Sequence, residues 1–229
     1  MERHFHEQLQ EVKASLINMA HSVEESISLS IKALKDKNND LVNEVITMDD
    51  DINRLEIKID DLCLKLLALQ QPMAVDLRFI TSAMKINNDL ERMGDHSVNI
   101  AELAKSVNQK DLLKPFLNLQ RMAEIAQAMV RDSMQSFVDG SVDKARAVCL
   151  RDDEVDRLDE QVSRILITHM MEDPKTISLA IDLMLVSKNI ERIADLSTNI
   201  AEEVIFIYKA KSIKHHQDDD AIEDIRSRS

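Results

Sequence analysis

Seven residues recur at a single offset in this chain. Glu91, Arg92, Asp95, Asn99, Ile100, Ala101 and Glu102 return as Glu191, Arg192, Asp195, Asn199, Ile200, Ala201 and Glu202, about a hundred residues further on. That offset is the size of a small domain and marks an internal duplication. Most of the repeated side chains are polar, so packing alone is a poor reason for them. On a helix turning about 100° per residue, Glu91, Asp95, Asn99 and Glu102 fall within about 80° of one another, as do their copies. Such a stripe has two possible uses. It is either a solvated acidic face or a carboxylate cluster for hard cations, which prefer oxygen ligands. Arg92 and Arg192 flank the stripe and can pair with it.

The apolar pattern shows what must position these groups. Phe79, Ala83, Ile86, Leu90, Met93 and Ala101 form an arc beside the stripe, with Ile80, Met84 and Val98 at its edge. The carboxylates therefore sit at the rim of the packed face of a helix running from about Met73 to Val107. The helix before it has the cleanest periodicity. Leu41, Val45, Met48, Ile52, Leu55, Ile59, Leu62, Leu66 and Leu69 alternate spacings of four and three, a heptad seam. Asp49, Asn53, Glu56 and Asp60 run alongside it. Asn39 or Asp40 can cap its start and Gln71-Pro72 ends it. A first helix, from about His6 to Leu34, carries Leu9, Val12, Leu16, Met19, Val23 and Ile27.

The second half repeats the plan. Leu119, Met122, Ile125, Ala126, Met129 and Met134 mark helix four, and Asp139-Gly140-Ser141 ends it and caps helix five. Helix five has Val148, Val155, Leu158, Val162, Ile165 and His169 on its seam, with Arg151 as the one fault. Asp152, Asp156 and Asp159 stand where Asp49, Asn53 and Glu56 stand in the first half. Asp173-Pro174 opens helix six, which runs to about Ala210. The expected fold is all-α: six long helices as two pseudo-twofold-related three-helix bundles with short connections. Residues 1–110 form the first repeat, 111–212 the second and 213–229 a charged tail containing His215, His216 and Asp218 to Asp220.

Composition agrees. Among 229 residues there are two Gly, three Pro, one Tyr and no Trp, too few turn formers for an all-β protein. The net charge of −13 argues against nucleic acid as a partner. Cys63 and Cys149 lack a Cys-x-x-Cys context and read as buried thiols in a reducing compartment. No apolar run reaches the roughly 20 residues that span a bilayer, and the N-terminus lacks a signal-peptide core. The expected location is cytoplasmic, with membrane association only through partners.

The run Asn88-Asp89-Leu90-Glu91-Arg92-Met93-Gly94-Asp95-His96 and its twin resemble the PhoU family of phosphate transport accessory and regulatory proteins. So do Gln71-Pro72 with Asp76-Leu77-Arg78, Asp49 to Leu55 and Asp152 to Leu158. The resemblance implies metal clusters held by acidic motifs on two helices per half. Carried over by position, the ligands are Asp49, Glu91 and Asp95 in the first half and Asp152, Asp156, Glu191 and Asp195 in the second. Asn53 stands where the motif has Asp, so weaker cation binding is expected in the first half. The element Asp76-Leu77-Arg78 has no counterpart in the second half, and Gly94 and His96 become Ala194 and Leu196. His96 is expected to be an exposed structural residue. All-oxygen ligands favour iron, manganese or magnesium over zinc. The resemblance further implies a homodimeric negative regulator of phosphate uptake and the phosphate-starvation response. Such a protein couples the ATPase subunit of a phosphate ABC transporter to a membrane histidine kinase.

Two other readings compete. A di-metal carboxylate enzyme of the ferritin-like class needs a His three residues after the Glu, where this chain has Gly94 and Ala194. A metal-free helical adaptor would present the acidic stripe to a basic partner. No nucleophile-plus-base grouping or Gly-rich phosphate loop is apparent, so binding rather than catalysis is expected.

Overall fold

The computed structural model describes residues 2–108 and 116–210. Of the linker expected from Asn108 to Pro115, residues 109–115 lie outside the described residues, as does the tail with its histidine pair. The first half consists of α1 (Glu2–Lys35), α2 (Asp40–Gln70) and α3 (Val75–Val107). The second consists of α4 (Phe116–Asp139), α5 (Val142–Cys149), α6 (Asp152–Glu172), a 3-10 turn (Pro174–Thr176) and α7 (Ile177–Lys209). Among the described residues there are six long helical rods, as the periodicity predicts, with the fifth interrupted between α5 and α6.

The interruption falls at the seam fault. A continuous helix would turn Arg151 towards the core. Instead the chain turns at Leu150 and Arg151, and the guanidinium pairs with Asp132 of α4 at 2.6 Å. Beyond the break the buried row passes through Val155, Leu158, Val162 and Leu166, not the expected Ile165, which is partly exposed. In α2 only one of the two seam rows is fully buried, Val45, Ile52, Ile59 and Leu66. The other row lines the rim and ends in exposed Leu69.

Turn chemistry follows the sequence with one change. Ser141 caps α5 by accepting from the Lys144 amide at 3.3 Å. Gly140 has φ +66°, and a Cβ there would lie 2.7 Å from Tyr208 Cζ, so the turn needs glycine twice over. Asp173 accepts from the Lys175 amide at 3.0 Å. Neither Asn39 nor Asp40 caps α2 through its side chain. Asn38 does the comparable work, its Oδ1 accepting from the Asp40 amide at 2.9 Å.

Within each half three rods pack as a bundle. Across the halves α3 lies against α7, and α1 against α4. Arg78 meets Ile207, Ser82 meets Glu203, His96 meets Asn189 and Ser106 meets Asp182. The numbers rise along α3 as they fall along α7, so these helices are antiparallel, the arrangement expected of a pseudo-twofold axis. The two bundle cores merge across these contacts into one apolar core. Phe79 of α3 stacks on Phe137 of α4, ring centroids 5.6 Å apart. Among the described residues no helix is long and apolar enough to cross a membrane.

Candidate functional site

The first acidic cluster forms where α2 packs on α3. Ile52 and Ile59 hold α2 in the core, which brings Asp49 and Glu56 of the neighbouring stripe to face Glu91 and Asp95. Gly94 permits the approach: a Cβ there would lie 3.2 Å from Asp49 Oδ1. Burial pushes the Asp49 carboxyl above its ordinary value and the charge of Asp95 adds to this. Asn53 Nδ2 donates to Asp49 Oδ2 at 3.1 Å and opposes the shift. Glu91 is raised in the same way, by burial and then by Asp95, Glu56 and Asp49. Carboxylates that raise one another's pKa are near neighbours with like charge.

The second cluster forms between α6 and α7. The break at Arg151 starts α6 at Asp152, which faces Glu191 and Asp195 with Asp156 one turn on. Burial and the charges of Asp195, Asp156 and Glu191 push Asp152 up to about 7. Asp156 and Asp195 are also raised, each mainly by burial. Two cations oppose this repulsion. Lys188 Nζ stands 2.6 Å from Glu191 Oε1, and Arg192 reaches Asp195 at 3.3 Å.

All seven predicted ligand positions therefore fall into two clusters, Asp49, Glu91 and Asp95 in one and Asp152, Asp156, Glu191 and Asp195 in the other. The two asparagines of the predicted stripe depart from them. Asn99 donates towards Asn189 of α7 at 3.4 Å, and Asn199 lines an open groove of about 300 Å³ with Met84, Lys85, Asn88 and Asp89. An 80° stripe is shared between two neighbouring helices, so its members separate. His96 is half-buried rather than exposed, its Nδ1 2.9 Å from Asn189 Oδ1. Asp159 turns inward to accept from Ser187 at 2.6 Å. Glu56 and Lys188 were not among the predicted site residues. Glu56 was visible as the member of the α2 stripe two turns after Asp49. Lys188 was visible only as a lysine three residues before Glu191, a spacing that usually marks a solvated pair.

Asp49 Oδ1, Asp152 Oδ1 and Glu191 Oε2 are buried without a hydrogen-bond partner. Orphaned buried carboxylate oxygens are costly, and a hard cation is the partner that oxygen-only sets take. The residues fit such an ion chemically. As they stand, no three acidic, His or Cys side chains among the described residues converge into a closed shell. Cys63 and Cys149 are free, and burial pushes both thiols up to about 12, which makes them inert at neutral pH.

Fold and site together define a class: an all-helical protein made of two matched three-helix bundles, each with an acidic cluster on a helix pair. The PhoU domain model matches residues 16–104 and 119–204, one match in each half. The chain belongs to the PhoU family. It is 42% identical over 208 residues to the phosphate-specific transport system accessory protein PhoU homolog of Aquifex aeolicus, covering 91% of this chain and 94% of that one. The homolog of Deinococcus radiodurans is 37% identical, covering 86% of this chain and 92% of its own length. The crystal structure of PhoU from Pseudomonas aeruginosa superimposes with a TM-score of 0.88 at 34% identity, covering 90% of this chain and 100% of the other. The phosphate transport system regulatory protein PhoU from Streptococcus pneumoniae gives 0.85 at 28% identity, covering 92% and 99%.

Proposed function

We propose that this chain is a cytoplasmic, non-catalytic negative regulator of phosphate uptake and of the phosphate-starvation response. It acts as a homodimeric adaptor between the ATPase subunit of a phosphate transporter and a membrane histidine kinase. The observation that carries this reading is the match over nearly the whole chain, in both halves, to relatives named as accessory proteins of phosphate-specific transport. Residues 1–110 and 111–212 are its two working units.

In this reading Asp49, Glu91 and Asp95 hold one cation, and Asp152, Asp156, Glu191 and Asp195 another, of the iron, manganese or magnesium type. A bound cation supplies positive charge that cancels carboxylate repulsion. The residues of this chain do the rest: α2 and α6 each present a carboxylate row to α3 and α7, so neutralising the rows ties each helix pair together. The surface read by a partner is thereby stiffened.

The test is metal analysis of purified protein followed by Asp195→Ala and Glu191→Ala, with recovery of partners from phosphate-replete cells. Stoichiometric metal that is lost in the mutants, together with capture of the transporter ATPase or the kinase, is the expected result. Capture of neither overturns the regulatory role. A second reading, a metal-free adaptor, is favoured by one observation: Lys188 and Arg192 already pair with the second cluster. It predicts no stoichiometric metal and unchanged partner binding in both mutants.

A further inference from the structure

The two clusters offset their repulsion by different means. In the first Asn53 bonds Asp49 and the Arg92 guanidinium, 3.9 Å from Asp89, acts on Glu91 through its charge, with no lysine in contact among the described residues. In the second an ammonium joins the guanidinium of Arg192. Lys188 Nζ lies 2.6 Å from Glu191 Oε1, and Arg192 Nε lies 3.8 Å from Glu191 Oε2. The repeat offset aligns Lys188 with Asn88, so this lysine belongs to one cluster only. Its position is that of a visitor from solvent. The Lys188 side chain is 49% exposed and the Glu191 side chain 13%. A compact charge on a flexible four-carbon stem can leave such a partner without moving a helix. Glu191 keeps its other oxygen, Oε2, buried with no hydrogen-bond partner, so the lysine satisfies half of the carboxylate.

We propose that Lys188 is the built-in counter-cation of the second cluster: its ammonium holds Glu191 until a divalent cation enters, and must swing into solvent for the cation to take that carboxylate. This inference rests on the clusters being cation sites and goes beyond that reading by making them unequal. The extra carboxylate that Asp156 supplies, where the first half has Asn53, is offset by a competing charge. Loading the second cluster also has an outward sign, because it releases a lysine onto the exposed row of α7. Loading the first cluster releases no lysine, because Asn88 stands at the matching position.

The experiment is calorimetric titration of the full chain with Mn²⁺, one cluster at a time. With the first cluster disabled by Asp49→Asn and Glu91→Gln, Lys188→Asn raises Mn²⁺ affinity on the order of tenfold, the size of one removed repulsion near the surface. In the same background Lys188→Arg, which keeps the charge, retains most of the competition. With the second cluster disabled by Asp152→Asn and Glu191→Gln, Asn88→Lys weakens the first. Thermal melting in chelator is the second readout and also reports folding. Lys188→Asn lowers the metal-free melting temperature and enlarges the rise that Mn²⁺ produces. Mn²⁺ binding that is unchanged by Lys188→Asn overturns the role of the lysine and leaves the cation sites standing. Absence of Mn²⁺ binding in the unmodified chain and every variant overturns the cation sites, and the inference with them.

Discussion

At the scale of the residue, the decisive quantity is the proton on Asp152. Burial, with Asp195, Asp156 and Glu191 nearby, pushes that carboxyl from 3.8 up to about 7. An acid that holds its proton more tightly in the folded chain contributes stability that is full below its unfolded value and lost as pH rises through its folded value. The window is therefore between 3.8 and about 7. The raised values of Asp49, Glu91, Asp156 and Asp195 have the same sign. The metal-free protein should melt at a higher temperature near about pH 5.5 than near about pH 8, and Asp152→Asn should flatten the difference. A saturating divalent cation should reverse the slope, because protons then compete with metal. Melting with and without chelator at the two pH values checks both outcomes. The pairing of Glu91 with Asp95 was legible in the sequence because one helical turn separates them. Their meeting with Asp49 and Glu56 was not, because it needs the register of α2 against α3.

At the scale of the element, turns were legible where they depend on local conformation and obscure where they depend on a distant partner. Gly140 shows both. Its place in Asp139-Gly140-Ser141 marks a helix end, but the ring of Tyr208 packed on it comes from the far end of α7. Gly140→Ala should cost about 1–3 kcal/mol from the left-handed backbone alone, with more from the ring. Adding Tyr208→Ala should relieve the second part and leave the first. Urea unfolding of the two single mutants and the double mutant checks this through a coupling above about 0.5 kcal/mol. The break between α5 and α6 is the opposite case. Arg151 was visible as a fault in a seam, but a fault can be met by a kink, an exposed side chain or a break. The tertiary structure has the break, with the Arg151 guanidinium paired to Asp132 on another helix.

At the scale of the whole molecule, the halves are joined by a charge that the pattern did not reveal. Glu203 is 1% exposed, between α3 and α7. It accepts from Ser82 at 2.8 Å and from Lys85 at 3.0 Å, and the Lys85 ammonium also lies 5.6 Å from the centre of the Phe206 ring. The repeat offset puts Leu103 at the matching position, so the link is used once. The Lys85 side chain is 53% exposed but the Glu203 side chain only 1%, so removing the lysine leaves a buried carboxylate under-compensated, a cost that removing both charges avoids. Lys85→Ala should therefore destabilise by about 2–3 kcal/mol, and Glu203→Leu added to it should recover part of the loss. Denaturant titration checks this. Loss of a single concerted transition in Lys85→Ala would mark α3 against α7 as the joint that couples the bundles.

The sequence by itself determined the helices, their duplication and which carboxylates share a face, because helical periodicity is a local property carried by a few turns of chain. It also identified the family, through polar residues repeated without a packing reason. Only the tertiary structure decided which carboxylates meet across helices, where the fifth rod breaks, that Asn99 turns away from the acidic clusters, and that Glu203 is buried. Each of those depends on the register between helices distant in sequence, and register follows from the merged core rather than from any one segment.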